Sequence, residues 1–332
     1  MAISLQLVLQ LFVDGLTVGG MYALIALGYT LVYGILLMIN FAHAEMFMSG
    51  AFFGLGVLQV LSNESVIDSI SSTIPFLSFL KSTQPFFTET VVGFIILMIL
   101  VFGIAGILTG VLGMVIERFA YRPLRHAPRL CPLISALGVS IFLQNAVNLW
   151  IGSSVVFPRP TILQELKPLS LFAGIRIAPI DFIIIITSLL LLFVLDRFVS
   201  GTRVGKAMRA TSQDQDASGL MGIDINSVIA LTFFIGPALG AVAGVFFGLK
   251  YGTLTFKMGF QPGIKSFTSA VLGGIGNLRG AMMGGFLIGI LEALSAGIIS
   301  VTYKDVITFG ILILILILRP GGLLGESVVE KV

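Results

Sequence analysis

Residues able to do chemistry in an apolar setting are few in this 332-residue chain. Glu292 lies within one apolar run and Asp14 within another. A carboxylate inside a membrane is costly and usually faces a cavity or a partner. Glu292 therefore reads either as a contact for a passing solute or as a hydrogen bond holding a helix pair. His43 and Glu45 stand in the segment 39–45, Ile-Asn-Phe-Ala-His-Ala-Glu, which sets Asn40 and two ionisable groups between apolar runs with no real loop. They suit a proton relay or ligand site, or the capping of helix ends. His43 alone cannot hold a metal, because the other histidine is His126 in a loop. Gln144, Asn145 and Asn148 form a polar patch, and positions 144 and 148 share a helix face. Cross-helix hydrogen bonds are expected there. The single cysteine, Cys131, forms no intrachain disulfide and reads as a packing residue. No catalytic, cofactor-binding or metal-binding constellation is present in these readings.

The stretch 201–224, GTRVGKAMRATSQDQDASGLMGID, superficially suggests a phosphate loop. That motif needs four residues between its glycines and a hydroxyl residue after the lysine. Here three residues separate Gly201 from Gly205, and Ala207 follows Lys206. No other stretch fits, so the chain is not expected to hydrolyse ATP. The segment reads instead as a short amphipathic helix, with Ala210, Ala217, Leu220 and Met221 apolar or small, ending at a left-handed cap on Gly222.

The elements that position these residues follow from composition. Hydrophobic residues make up 57% of the chain and charged residues 11%, against about 25% charged in soluble domains. The mean hydropathy is +1.08. A chain facing lipid has this balance and a soluble enzyme does not. The net charge of +3 is too small to indicate nucleic-acid binding. Since a bilayer core takes about 20 apolar residues per helix, the runs 5–38, 40–61, 91–116, 133–151, 182–199, 228–249, 264–278, 281–299 and 306–318 are the candidate spans. The expected fold is all-α: a polytopic membrane bundle of about eight or nine helices, forming one transmembrane domain over 1–332. Run 5–38 is overlong, and the short run 264–278 is expected to be broken or re-entrant. Its Gly273 and Gly274 are candidates for unwound backbone lining a path.

Arg118, Arg122, Arg125 and Arg129 form the densest basic loop, which the positive-inside rule places in the cytoplasm. Residues 62–90 and 152–181 then fall outside, while 200–227, Arg279, Arg319 and the C-terminus fall inside. Lys250, Lys257 and Lys265 conflict with this scheme by falling in an external loop. The first basic residue is Lys81, so the first run lacks the positive flank of a cleavable signal and its N-terminus is expected outside. Breaks at Asn40–Glu45 and at Gln261–Pro262 hint at a repeat with interrupted helices. Glycine-rich runs such as Gly106-x3-Gly110 allow close helix packing.

Several segments carry a resemblance. They are GLTVGGMYALIALGYTLVYGILLMINFAHAE at 15–45, ERFAYRPLR at 117–125, LISALGVSIFLQN at 133–145, VIALTFFIGPALGAVAGV at 228–245, KSFTSAVLGGIGNLRGAMMGG at 265–285, EALSAG at 292–297, YKDV at 303–306 and VEKV at 329–332. Together they resemble the first permease subunit of the high-affinity branched-chain amino acid ABC importer of the bacterial inner membrane. The resemblance implies a heterodimer with a second homologous permease, two cytoplasmic ATPase subunits that bind the ATP and magnesium, and a periplasmic binding protein delivering the amino acid. It also implies that 203–224 is the coupling segment, with Arg203, Arg209, Ala210, Asp214, Leu220, Gly222 and Ile223 in matching positions. Two small-for-small departures stand out: Ala44 where the family usually has Gly, and Ser218 where Ala is common. The alternatives are a related importer permease for urea or other amino acids, and a secondary amino acid carrier. A coupled carrier usually holds more buried carboxylates than Asp14 and Glu292.

Overall fold

The computed structural model describes residues 5–36, 38, 40–73, 79–125, 127–128, 130–170, 175–319 and 321–324. His126 and Arg129 of the basic loop, and residues 329–332 of the resemblance, lie outside them. The fold is all-α, and seven helices among the described residues are long and apolar enough to cross a membrane. The overlong first run is one helix, α1 (Leu5–Leu36). It is followed by α2 (His43–Ser62), two short helices α3 (Glu64–Thr73) and α4 (Phe79–Glu89), α5 (Val91–Ile116) and α6 (Leu130–Trp150). A short strand β1 (Ser154–Val156), helix α7 (Thr161–Glu165) and the strand pair β2 (Leu169–Ser170) and β3 (Arg176–Ile177) fill the next connection. Then come α8 (Pro179–Gly201), α9 (Arg203–Gln213), α10 (Gln215–Leu220), α11 (Ile225–Tyr251), β4 (Thr253–Thr255), α12 (Phe260–Gly273), α13 (Leu278–Leu294) and α14 (Lys304–Leu318).

Helices α1, α2 and α11 form the centre. Small residues let them meet at backbone distance, which drives association where lipid offers no hydrophobic gain. A Cβ on Gly19 would lie 2.7 Å from the Phe286 Cα, and one on Gly285 would lie 2.5 Å from the Ala23 Cα. Gly15, Gly19 and Ala23 thus mesh with Gly285 and Gly289 along the α1–α13 seam. Gly50 meets Ala241 in the same way between α2 and α11. Helices α6, α8 and α14 lie outside and expose large apolar residues, among them Phe142, Leu149, Phe182, Phe193 and Ile317.

Contacts between connections assign each to an end of the bundle. At one end, β1 pairs antiparallel with β4, the Thr161 hydroxyl donates to the Thr88 carbonyl, and Lys250 pairs with Asp181. At the other end, Arg125 donates to Asn226, Arg279 makes a two-nitrogen contact with Asp196, and Gln215 donates to the carbonyl of Ile35. The second end carries the arginines of 118–125, 203–209 and 279, and is called here the basic end.

Two of the three lysines that conflicted with the charge rule are paired with carboxylates. Lys250 belongs to the last turn of α11 and is neutralised by Asp181. Lys257 lies over the Phe256 ring. Lys265 is inside α12 and buried. The expectation had started this run at residue 264, four residues too late.

Candidate functional site

Two helices restart inside the bundle. After α1 the chain turns at Asn40–Ala42 and α2 begins at His43, packed against Gly28 of α1 and Gly236 midway along α11. The His43 ring meets Tyr29 edge to face at 4.7 Å. After β4 the chain turns again, and α12 begins at Phe260. The second break therefore precedes Gln261 and Pro262, which lie in the first turn of α12, where proline is tolerated. The two starts abut: a Cβ on Gly259 would fall 2.5 Å from the Ala44 carbonyl oxygen and 2.8 Å from the Glu45 Oε2. Neither start is capped by a side chain.

Glu45 is fully buried. Its Oε1 accepts from Ser140 Oγ at 3.1 Å and Gln144 Nε2 at 2.7 Å. Its Oε2 has no partner among the described residues, and neither ring nitrogen of the buried His43 has a well-formed hydrogen bond. Asn40 accepts from the Tyr121 hydroxyl, tying the first break to the helical turn Glu117–Tyr121 that follows α5. The expected cross-helix role is met by Gln144. Asn145 instead donates to its own helix, at the Ile141 carbonyl.

Glu292 has a different setting. It accepts from Tyr22 Oη at 2.8 Å and pairs with Lys265 at 2.7 Å and Lys304 at 2.8 Å. Lys265 also pairs with Asp305 at 2.7 Å. This network ties α1, α12, α13 and α14 together, the helix-holding alternative for Glu292. Asp14 lies near the open end of α1 and accepts from Gln10.

Gly273 and Gly274 do not line the break. They form the turn between α12 and α13 at the basic end, where a Cβ on Gly273 would lie 1.9 Å from the Gly280 carbonyl oxygen. The segment after α14 covers this turn, with Leu323 and Leu324 donating to the carbonyls of Leu272 and Gly273. An unwound backbone here is satisfied by protein.

The segment 203–224 is two helices, not the single helix expected. Asp214 divides them, because its carboxylate accepts from the Ala217 amide and caps α10. Gly222, at φ +83°, ends α10, with its own amide bonding Gly219 and that of Ile223 bonding Ser218. These are the paired bonds of a Schellman cap, as the sequence predicts. Leu220 and Met221 are exposed at 90% and 84%. Arg203, Asp214 and Gly222 are exposed, and Ala210 and Ile223 half-buried. Arg209 donates to the carbonyls of Val199 and Ser200, so it caps α8 within the chain. Asp224 caps α11, and bonds from the Ser227 hydroxyl, and then from the Ser227 and Asn226 amides, hold its carboxyl below the usual range.

Sequence reasoning missed Tyr22, Lys265, Lys304 and Asp305 around Glu292, and Ser140 beside Glu45. The four-residue spacing of Ser140, Gln144 and Asn148 was the available signal for the last.

Seven membrane-length helices, with α2 and the short α12 restarting inside the bundle and an exposed two-helix platform at the basic end, define a polytopic membrane protein. The chain belongs to the family described as the branched-chain amino acid transport system permease component, which it matches over residues 11–316. It is 44% identical over 329 residues to the high-affinity branched-chain amino acid transport system permease protein BraD of Pseudomonas aeruginosa, covering 98% of each chain. It is 42% identical over 325 residues to the corresponding protein LivH of Salmonella typhimurium and of Escherichia coli K12, covering 98% of this chain and 97% of theirs. No solved structure matches it significantly.

Proposed function

We propose that this chain is one of two membrane subunits of an importer that moves branched-chain amino acids into the cytoplasm, powered by separate ATPase subunits. The match along 98% of the chain to permeases named for that substrate carries the reading. The second membrane subunit is a homologous permease, and a periplasmic protein delivers the substrate. The basic end faces the cytoplasm, as the arginine bias favours, and the N-terminus faces the periplasm. ATP and magnesium belong to the ATPases, and this chain holds no cofactor of its own.

The helices α9 and α10 are the docking element for the ATPase. Leu220 and Met221 are apolar side chains held in the open by a glycine cap, which suits insertion into a partner's cleft. Motion reaches the bundle by two short routes. Gln215 is bonded to the last turn of α1, directly before the first break, and Arg209 is bonded to the end of α8. Asn40, His43 and Glu45 lie where the pathway opens, while Glu292 holds the surrounding helices. Gly273 and Gly274 form a rigid turn beside it.

Vesicles carrying the complete complex test the reading. With ATP inside and the binding protein outside, labelled leucine, isoleucine and valine are expected to accumulate, and excess urea or lysine is expected not to compete. Accumulation without the ATPases would point to a secondary carrier instead.

A further inference from the structure

Glu45 is a carboxylate with half of its bonding capacity unused. Oε1 is satisfied by Ser140 and Gln144, and Oε2 is bare although the side chain is fully buried. No lysine or arginine among the described residues pairs with it. The other strongly buried carboxylates do have a cation: Lys250 for Asp181, Arg125 for Glu117, and Lys265 with Lys304 for Glu292. Burial of a carboxylate without compensation is costly, so such a group either takes up a proton or meets a partner that is present some of the time.

The bare oxygen faces the start of α12, through Gly259. That start has no side-chain cap; the Phe260 amide is bonded to the Lys257 carbonyl and Pro262 has no N–H, so the positive end of this 14-residue helix lies beside the carboxylate with the Gln261 amide as its donor. A negative oxygen and a positive helix end, side by side across a contact of small residues, complement a group bearing an ammonium and a carboxylate on the same carbon. On the opposite side of Glu45, Ser140, Gln144 and Asn148 recur at steps of four on one face of α6. They form a polar row running from Glu45 towards the outer end of that helix, and Gln144 and Asn148 are half-buried rather than sealed.

We infer that the junction of the α2 and α12 starts is a transient binding site for the head group of a free amino acid, with the α-ammonium on Glu45 Oε2 and the α-carboxylate at the N-terminus of α12. The inference rests on the transport reading above. The junction is closed in this structure, and binding requires α12 to move away from Ala44 and Glu45. The ammonium then replaces the missing cation, so closure around the substrate and release of it are coupled to the charge balance of one side chain. The apolar substrate side chain needs no specific partner here, which leaves selectivity among branched chains to shape.

The test uses the assembled complex in vesicles, reading [3H]leucine uptake and complex yield. Glu45→Gln keeps the size and the bonds to α6 while removing the charge. Its uptake is expected to fall about 30-fold or more, the scale of losing one partner of a desolvated charge pair, with the yield of assembled complex unchanged. Glu45→Asp is expected to retain more uptake than Glu45→Gln. Gln144→Lys places a tethered ammonium beside Glu45 and is expected to block uptake as well. Glu45→Gln transporting within about twofold of wild type would overturn the inference and show a carboxyl that works uncharged. If that variant fails to assemble, wild-type uptake by Gln144→Lys overturns it equally. A wild-type complex that ignores leucine counts against the substrate reading alone, and the same variants are then compared on the amino acid it does take up.

Discussion

Glu292 and Glu45 are both carboxylates sealed inside the bundle, exposed at 7% and 0%. Glu292 is met by two lysines and a tyrosine from three other helices. Glu45 is met by two neutral groups on one helix and keeps an oxygen bare. The first arrangement fixes helices, because separating them would strand charges in an apolar setting. The second leaves a contact with α12 in which no hydrogen bond or ion pair of Glu45 holds the two helices together. The difference also follows the packing. Glu292 adjoins the glycine seam of α1 and α13, a close backbone contact, whereas Glu45 adjoins the ends of two helices that start within the bundle. In the same molecule one buried acid is part of the frame and the other is part of a moving joint.

The largest effect expected from this contrast is on stability. Lys265→Met removes a cation shared by Glu292 and Asp305 and should destabilise the folded protein by about 3–5 kcal/mol, the cost of breaking a buried pair. Glu45→Gln, which breaks no ion pair, should change stability by less than about 1 kcal/mol, since its hydrogen bonds to α6 can be kept. Thermal unfolding of the two purified variants in detergent compares them, and equal losses would erase the distinction.

Glycine substitutions separate the regions by function. Gly285→Val drives a side chain into the α1 backbone and should cost about 1–3 kcal/mol through overpacking, seen as lost yield. Gly259→Val is expected to be made in normal amount and to transport poorly, since the contact it wedges belongs to helix ends that part during the cycle. The readouts are membrane yield by immunoblot and leucine uptake per assembled complex.

The smallest effect concerns a carboxylate in water. Asp224 is held below the usual carboxyl range by Ser227 and the first amides of α11. A depressed folded value means that its stabilisation is present above the unfolded value of about 4 and is lost as pH falls through the lower, folded one. The melting difference between wild type and Asp224→Ala should therefore persist at neutral pH and fade below about pH 4.

Much of this contrast was legible from residue order, and its limits are physical. The bounds of α5 at 91–116 were readable because an uninterrupted apolar run ends at a capping threonine and a basic loop. The break at Asn40–Glu45 was readable because polar residues interrupt apolar runs without a turn's worth of spacing. The start of α12 was not, because Pro262 looks like a breaker and only the fold shows it in a first helical turn. Lys265 then fell at the very edge of the predicted span and read as a loop lysine. Its neutralisation depends on Glu292 and Asp305, residues that helix packing alone brings within reach. The division of 203–224 at Asp214 carried a visible sign, an aspartate suited to capping. The bond from Arg209 to the end of α8 carried none, because the turn at Thr202 decides it. The bare oxygen of Glu45 could not be foreseen, since an unmet bond is a property of all the neighbours together.

The most direct test of the moving joint is thiol accessibility on a background in which Cys131, the single native cysteine, is replaced by serine. Ala44→Cys reports on the contact between α2 and α12, and Ser295→Cys reports on the region of Glu292. A small membrane-permeant thiol reagent is applied to the assembled complex at rest and during ATP turnover with leucine. Position 44 is predicted to be inert at rest and to react during turnover, with position 295 inert throughout. Position 44 remaining inert under turnover, or position 295 opening with it, would contradict the division of the bundle into a fixed frame and a moving joint.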